Sequence, residues 1–260
     1  MEGARLSPTE LIERLEQAWT HRSGPVIMAS DGDGTIWRGD IGEEMFLAAL
    51  RREALHEVAR QPLLAEAAAH GVAIEAAAAA GEIGAKLVEA LATGTYPEEP
   101  AFGMMAWAFA GWTESELAAF SDEVLDDFDF AGALRAELQP VLAWARKRDV
   151  PFWLVSASPL AIVAAAARRL GIPGDRVVAM EPALAGDVVQ PRLAKPATHG
   201  EGKLTRLRMA TELPLLAAFG DSGYDAAMLR AAEVPVAVHP KAELRKLETE
   251  LRELVVIGDR

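Results

Sequence analysis

The residues best suited to chemistry in this sequence are two aspartates that stand one glycine apart. Asp31 and Asp33 come directly after the apolar run 26–29, which is typical of a short buried strand. Two carboxylates this close repel each other, and a loop that only has to turn does not need both. The pair therefore indicates a functional site at the end of this strand.

Polar side chains also follow two later apolar segments that are predicted to be strands. Ser156 comes after 152–155, and Asp221 and Asp225 come after 215–219. Because ligands of parallel sheets bind beyond the carboxyl ends of the strands, we expect these residues and the aspartate pair to meet at one edge. Four carboxylates in one place remain ionised only if a cation compensates them. A set of oxygen ligands, in a chain without cysteine, suits Mg²⁺.

Two lysines are candidates for the partner of a bound phosphate. Lys203 stands at the start of a helix predicted over 202–212, and a helix N-terminus favours anions. Lys195 lies further upstream in a proline-flanked loop and remains the alternative. Together with the Ser156 hydroxyl and glycine-flanked backbone amides, a lysine at this place would complete a phosphate cradle.

These residues resemble the four motifs of the haloacid-dehalogenase-like hydrolase superfamily, and their order and spacing match over residues 26–228. The motifs are, in chain order, Asp31-Gly32-Asp33-Gly34-Thr35, Ser156 after a strand, Lys203, and Gly220-Asp221-Ser222-Gly223-Tyr224-Asp225. The chain departs from the family pattern at two positions. Gly32 stands where the family usually has a bulky residue between the acids, and Ser30 stands where an aromatic residue is usual.

The resemblance implies a role for each acid of the first motif. Asp31 would be the nucleophile that attacks phosphorus and forms an aspartyl-phosphate. Asp33 would protonate the leaving oxygen and then take a proton from the attacking water. Members that release halide do not need the second acid, so Asp33 favours phosphoryl transfer to water.

The resemblance also implies a Mg²⁺ site and a phosphate site. The side chains of Asp31 and Asp221 and the backbone carbonyl of Asp33 would bind the metal, with Asp225 close by or acting through water. Ser156 and Lys203 would hold the transferring phosphoryl oxygens and offset their charge.

The alternation of short apolar strands with helices predicts an α/β fold with a doubly wound parallel sheet. Residues 40–131 differ, because they are alanine-rich, lack β-branched runs and are punctuated by glycines. This segment looks like the inserted all-α cap of phosphoserine-phosphatase-like members. We therefore assign 1–39 and 132–260 to the α/β core and 40–131 to a helical cap.

Composition narrows the classes of partner and the location. A formal net charge of −13 argues against broad binding to nucleic acid or to anionic membrane surfaces. The segment 1–15 lacks a basic start followed by an apolar block, and no apolar run approaches the roughly 20 residues of a membrane span. We expect a soluble cytoplasmic protein, and the sequence leaves its oligomeric state open.

The segment after the first motif bears on the substrate. By resemblance, Asp40, nine positions after Asp31, would contact an amine or quaternary ammonium group, with Trp37 offering an aromatic face. Alternatively, Asp40 caps a helix that begins near Ile41.

The motifs together predict a Mg²⁺-dependent phosphatase that acts on a small phosphorylated metabolite. Phosphoserine, phosphoethanolamine and phosphocholine are examples that carry an amine or quaternary ammonium group. The alternatives are a phosphotransferase that passes the phosphoryl group to an acceptor alcohol, and a non-catalytic protein that binds a phosphometabolite.

Overall fold

A seven-stranded parallel sheet forms the centre of the computed structural model, which describes residues 4–258. The strands are β1 (Ala4–Arg5), β2 (Ile27–Ser30), β3 (Phe152–Pro159), β4 (Val177–Met180), β5 (Pro182–Ala185), β6 (Val188–Leu193), β7 (Leu215–Gly220), β8 (Ala232–Val238) and β9 (Val255–Ile257). The sheet order is β1-β9-β8-β7-β2-β3-β4, and every neighbouring pair is parallel. Strands β5 and β6 form a small antiparallel hairpin. The predicted parallel α/β sheet is confirmed.

Helices flank the sheet and begin where the local sequence supplies a cap. They are α1 (Pro8–Thr20), α2 (Ile41–Arg51), α3 (Arg60–Ala69), α4 (Ala80–Ala92), α5 (Glu98–Trp107), α6 (Glu114–Asp127), α7 (Phe130–Ala133), α8 (Gln139–Lys147), α9 (Leu160–Leu170), α10 (Glu201–Ala210), α11 (Ala226–Ala231) and α12 (Ala242–Lys246). At α1, the Ser7 hydroxyl and the Glu10 carboxylate cap each other's backbone amides.

The alanine-rich segment is helical, and it packs on the sheet domain. Within the described chain, the regular elements from Ile41 to Ala133 are α2 to α7 and one 3-10 turn. Helix α6 lies against α9, with ion pairs of 2.8 Å from Arg168 to Asp122 and from Arg169 to Asp126. One continuous apolar core contains residues of both regions. The helices fit the expected all-α insertion, and its division at 40–131 stays a prediction.

The central strands explain why the predicted site residues meet. β2 lies between β7 and β3, and Ser30 at its end is level with Phe219 and Leu154. The next residue, Asp31, donates its backbone N–H to the carbonyl oxygen of Phe219 at 3.0 Å. The chain thus leaves three adjacent strands at one sheet edge, as the sequence predicts. None of the helices in residues 4–258 has the length and apolar character needed to cross a membrane.

Candidate active site

A buried lysine lies at the centre of the aspartate cluster. The Lys203 Nζ atom is 2.8 Å from Asp31 Oδ1 and 2.6 Å from Asp225 Oδ1. Lys203 comes from the first turn of α10, and all three side chains are buried. Lys195 is instead exposed and pairs with Glu181 at 2.8 Å. Of the two lysines that the sequence leaves open, the structure brings Lys203 to the aspartates.

The electrostatics of this cluster follow from the burial of several charges together. Burial raises the pKa of Asp31 well above its ordinary value; Lys203 opposes the shift, and the neighbouring Asp225 and Asp221 carboxylates add to it. Burial alone would lower the pKa of Lys203, but the Asp225 and Asp31 carboxylates raise it above its ordinary value. The cluster therefore carries more negative than positive charge when its acids are ionised, and a further cation would relieve the excess.

Three carboxylates could hold that cation. Oxygen atoms of Asp31, Asp221 and Asp225 lie within 4.8 Å of one another. Asp225 is the most engaged of them, because its Oδ2 atom accepts the backbone N–H of Asp221 at 3.1 Å and that of Ser222 at 3.0 Å. Asp225 thus anchors Lys203 and the loop of the fourth motif, while Asp31 and Asp221 keep more oxygen capacity free. An all-oxygen set of this kind fits Mg²⁺ better than a softer metal.

Lys241 also belongs to the cluster, although it lies outside the four motifs. Its Nζ atom is 3.0 Å from Asp221 Oδ2, and its backbone N–H donates to the Asp221 carbonyl oxygen at 2.7 Å. Burial raises the pKa of Asp221, and the Lys241 ammonium group opposes that rise. Lys241 follows strand β8, so its place after a strand at the active edge is the signal that could have found it.

Gly34 permits the first and fourth motifs to approach each other. Its φ is +75°, and a Cβ atom at this position would overlap the Oδ2 atom of Asp221. A side chain here would therefore be strained and would also displace a candidate metal ligand.

Asp33 lies in a neutral environment of hydrogen-bond donors. Its Oδ1 atom accepts the indole N–H of Trp37 at 2.9 Å and the backbone N–H of Ile41 at 2.8 Å. Its Oδ2 atom accepts the hydroxyls of Ser156 at 3.1 Å and Ser158 at 2.8 Å. The second acid is therefore held in one orientation by four donors.

Ser156 supports Asp33 in this structure. Its hydroxyl is fully buried, donates to Asp33 and accepts the backbone N–H of Ser158 at 3.0 Å. Ala157 and Ser158 line the adjacent cavity. The phosphate-binding role of Ser156 stays a prediction. Sequence reasoning missed the role of Ser158, although residues two apart on a strand face the same side.

The two residues proposed for substrate selection lie in different surroundings. Trp37 is fully buried and packs on Phe130, so its aromatic face cannot meet a substrate, and that prediction is wrong. Asp40 both caps α2, accepting the Glu43 N–H at 2.8 Å, and lines the cavity. Burial, and then repulsion by Asp33, raises the pKa of Asp40 to about 7. The capping interpretation is confirmed, and contact with an amine stays a prediction.

A cavity of about 600 Å³ opens above the cluster. Its floor includes Asp31, Lys203 and Asp221, and its wall includes residues of the helical segment. On the core side, the rings of His199 and Tyr224 pack in a tilted arrangement with centroids 4.1 Å apart. A small molecule in this cavity would meet a highly charged floor and a wall with aromatic surface.

The family model of haloacid dehalogenase-like hydrolases matches residues 28–230, which is more than half of the chain. The chain belongs to this family. Phosphoserine phosphatase SerB1 of Mycobacterium tuberculosis is 28% identical over 145 residues, covering 54% of this chain and 46% of that protein. A hydrolase of Mycobacterium leprae is also 28% identical over 145 residues, covering 54% and 47%. The chain thus spans about half the length of the curated relatives it matches.

Solved structures share the fold of this chain at low sequence identity. A protein of unknown function from Bordetella pertussis Tohama I superposes with a TM-score of 0.68 and 22% identity, covering 91% of this chain and 99% of that one. A substrate-bound phosphoserine phosphatase gives a TM-score of 0.51 and 12% identity, covering 90% and 94%. These likenesses support the family's α/β core for this chain.

Proposed function

We propose that this protein is a Mg²⁺-dependent phosphatase that hydrolyses a small phosphomonoester through a phosphorylated Asp31. The observation that carries the proposal is the meeting of Asp31, Lys203 and Asp221 beneath the cavity, with Asp33 next to them. Membership of the hydrolase family supports the reaction class. Similarity to phosphoserine phosphatase SerB1 supports a phosphomonoester as substrate.

The chain's residues divide the reaction into two displacements at phosphorus. An Asp31 carboxylate oxygen attacks phosphorus, the bond to the leaving oxygen breaks, and Asp33 gives that oxygen a proton. Water then attacks the phosphorus of the aspartyl-phosphate and loses its proton to Asp33. The bond to Asp31 breaks, releasing inorganic phosphate and restoring both acids. Lys203 offsets charge on the phosphoryl oxygens in both steps.

Mg²⁺ would be held by the carboxylates of Asp31 and Asp221 and by the backbone carbonyl of Asp33, with Asp225 nearby. The convergence of three carboxylates within 4.8 Å, and the excess negative charge around a single buried lysine, fit a hard divalent cation. Such an ion, when bound, compensates the charge of the phosphoryl group and of the acids.

The cavity wall favours a leaving group that carries positive charge. Asp40, Glu43 and Glu98 line the wall, and the cavity's described lining contains no arginine. The lining lysines, Lys203 and Lys241, are both bound to aspartates at the floor. A phosphorylated amino or quaternary ammonium alcohol therefore fits better than a leaving group with a free carboxylate, such as that of phosphoserine.

We also propose that the helices between residues 40 and 131 act as a cap over this cavity. Leu91, Glu98, Phe102 and Met105 of that segment line it. Closure of the segment would exclude water during the attack on phosphorus, and opening would release the products.

A phosphomonoester panel tests the function. Purified protein is assayed for phosphate release with Mg²⁺, with EDTA, and with Asp31→Asn as the matched inactive control. We expect release that requires the metal and Asp31, with phosphoethanolamine and phosphocholine ahead of phosphoserine. Transfer to added alcohols in place of phosphate release would identify a phosphotransferase. Binding without any turnover would identify a non-catalytic binding protein.

A further inference from the structure

We propose that Trp37 is a positioning residue that sets which oxygen of Asp33 carries the catalytic proton, and that Gly32 is glycine to make room for it. The inference rests on the proposed phosphatase chemistry, in which Asp33 is the acid and base. It concerns a residue outside the four motifs. It also accounts for the departure from the family pattern between the two acids.

The space above Gly32 is filled by the Trp37 indole. A Cβ atom on Gly32 would overlap the Cη2 and Cζ2 atoms of that ring. Gly32 is not among the described residues with positive φ, so its backbone conformation does not require glycine. The requirement is therefore for space, because the ring of Trp37 occupies the position that a side chain on residue 32 would need.

Packing and hydrogen bonds hold the indole of Trp37 in one position. Trp37 is fully buried, and its ring centroid is 5.2 Å from that of Phe130. The Trp37 backbone N–H donates to the Gly32 carbonyl oxygen at 3.3 Å. The ring is thus held by packing and its backbone by the loop, which directs the indole N–H at Asp33 Oδ1 over 2.9 Å.

The chemistry of the donors distinguishes the two oxygens of Asp33. An indole N–H and a backbone N–H can only donate, so the Oδ1 atom that receives them from Trp37 and Ile41 must stay an acceptor. Ser156 and Ser158 reach Oδ2 with hydroxyls, which can rotate and accept a hydrogen bond instead. The proton of the acid form therefore belongs on Oδ2. Without the Trp37 N–H, only the Ile41 N–H would keep Oδ1 an acceptor, and the preference for a proton on Oδ2 would weaken.

The decisive variant replaces Trp37 with 3-benzothienylalanine, which keeps the ring shape but has sulfur in place of the N–H. Its kcat/KM is measured on an alkyl phosphate, whose leaving group needs a proton, and on p-nitrophenyl phosphate, whose leaving group does not. We expect alkyl phosphate turnover to fall roughly tenfold or more, as part of the ~10²–10⁴-fold that general acid catalysis contributes. The kcat/KM for p-nitrophenyl phosphate should change less than about twofold, because kcat/KM covers the steps up to loss of the leaving group and not the later attack of water, in which Asp33 acts for both substrates.

Two genetic variants and one control repeat the test with ordinary residues. Trp37→Phe removes the N–H and should give the same loss confined to alkyl phosphates. Gly32→Ala should do so by displacing the ring, and should have much less effect in the Trp37→Phe background, where the outer ring is absent. Trp144→Phe is the matched control: it removes an indole N–H that donates to Glu16 at 2.8 Å away from the cavity, so it should leave the ratio of the two substrates unchanged.

An equal fall on both substrates, or no fall on either, in the benzothienyl protein would overturn the proposal. Additive effects of Gly32→Ala and Trp37→Phe would contradict the role of Gly32. If the wild-type protein turns over neither substrate with Mg²⁺, the proposed function itself is refuted. Circular dichroism and thermal unfolding of each variant establish that a fall reports on the folded enzyme.

Discussion

The two acids of the first motif are separated by one glycine, yet they lie in opposite kinds of environment. Asp31 meets ionised partners, with Lys203 at 2.8 Å and the Asp221 and Asp225 carboxylates within 4.8 Å. Asp33 meets four neutral donors, two on each oxygen. The same side chain thus acquires two functions from its surroundings: charge compensation prepares a nucleophile, and directional hydrogen bonds prepare a proton carrier.

Because the two environments differ, substitutions near Asp31 and near Asp33 should have different effects. A change on the Asp31 side alters the charge of a buried cluster, and so it should affect every substrate and the stability of the fold. A change on the Asp33 side alters orientation, and its effect should depend on how much help the leaving group needs. Substitutions at Asp31, Asp33, Lys203 and Asp40 therefore distinguish the two environments.

The largest effect is expected from a comparison of Asp31→Asn with Asp33→Asn. Without its nucleophile, Asp31→Asn should lose at least about 10⁴-fold in kcat on all phosphomonoesters. Asp33→Asn should lose roughly 10²–10³-fold in kcat/KM on alkyl phosphates and much less in kcat/KM on p-nitrophenyl phosphate, because kcat/KM covers the steps up to release of the leaving group and not the later attack of water. Steady-state kinetics on both substrates decide the matter, and identical leaving-group dependence in the two variants would remove the proposed division of labour.

Lys203→Met should reduce both activity and stability, because it leaves buried carboxylates without their ammonium partner. We expect the free energy of unfolding to fall by about 3 kcal/mol, together with a loss of roughly 10²-fold in kcat. Urea unfolding and kinetics measure the two effects. Lys195→Met is the matched control, since Lys195 is exposed and lies outside the cluster. A stability loss no larger than that of the control would count against the charge balance described here.

The smallest effect on activity is expected from Asp40→Asn, which removes the charge but keeps an N-cap acceptor for α2. Because the folded-state pKa of Asp40 is raised to about 7 from 3.8, the folded protein holds this proton more tightly than the unfolded chain. Ionisation of Asp40 therefore lowers wild-type stability as pH rises from about 4 to about 7. The variant should gain on the order of 4 kcal/mol relative to wild type across that window, and no more above it.

Unfolding curves at several pH values test this prediction, in the presence of EDTA so that metal binding does not contribute. The same variant should raise KM for phosphoethanolamine several-fold with little change for p-nitrophenyl phosphate, because only the former presents a cation to Asp40. A pH-independent difference in stability would mean that capping, and not charge, is what Asp40 contributes.

Much of the fold and the cluster could be predicted from sequence, because both depend on short-range patterns. Apolar runs and helix caps gave the strands and most helices, and acids after strands gave Asp31, Asp33 and Asp221 at one sheet edge. The lysine could not be decided by pattern alone. Both Lys203 and Lys195 fit the sequence pattern, and only the folded structure shows that Lys203 contacts Asp31.

The errors and omissions share a physical origin, which is that side-chain direction is set by packing. Trp37 was expected to face a substrate, but the absence of a side chain at Gly32 opens an interior space that the indole fills. Lys241 and Ser158 were missed because each acts through a residue distant in sequence, Asp221 and Asp33 respectively. Their positions on or after a strand mark both residues as candidates, but only the fold shows which carboxylate each one contacts.

The most direct test of the central claim is to look for the phosphorylated Asp31 itself. The enzyme is mixed with Mg²⁺ and p-nitrophenyl phosphate, quenched in acid within the first turnovers, digested and examined by peptide mass spectrometry. We expect an acid-stable phosphate adduct on the peptide that contains Asp31, absent in Asp31→Asn and formed at undiminished rate in Asp33→Asn. Turnover without any adduct on that peptide, or an adduct on a different residue, would contradict the central claim.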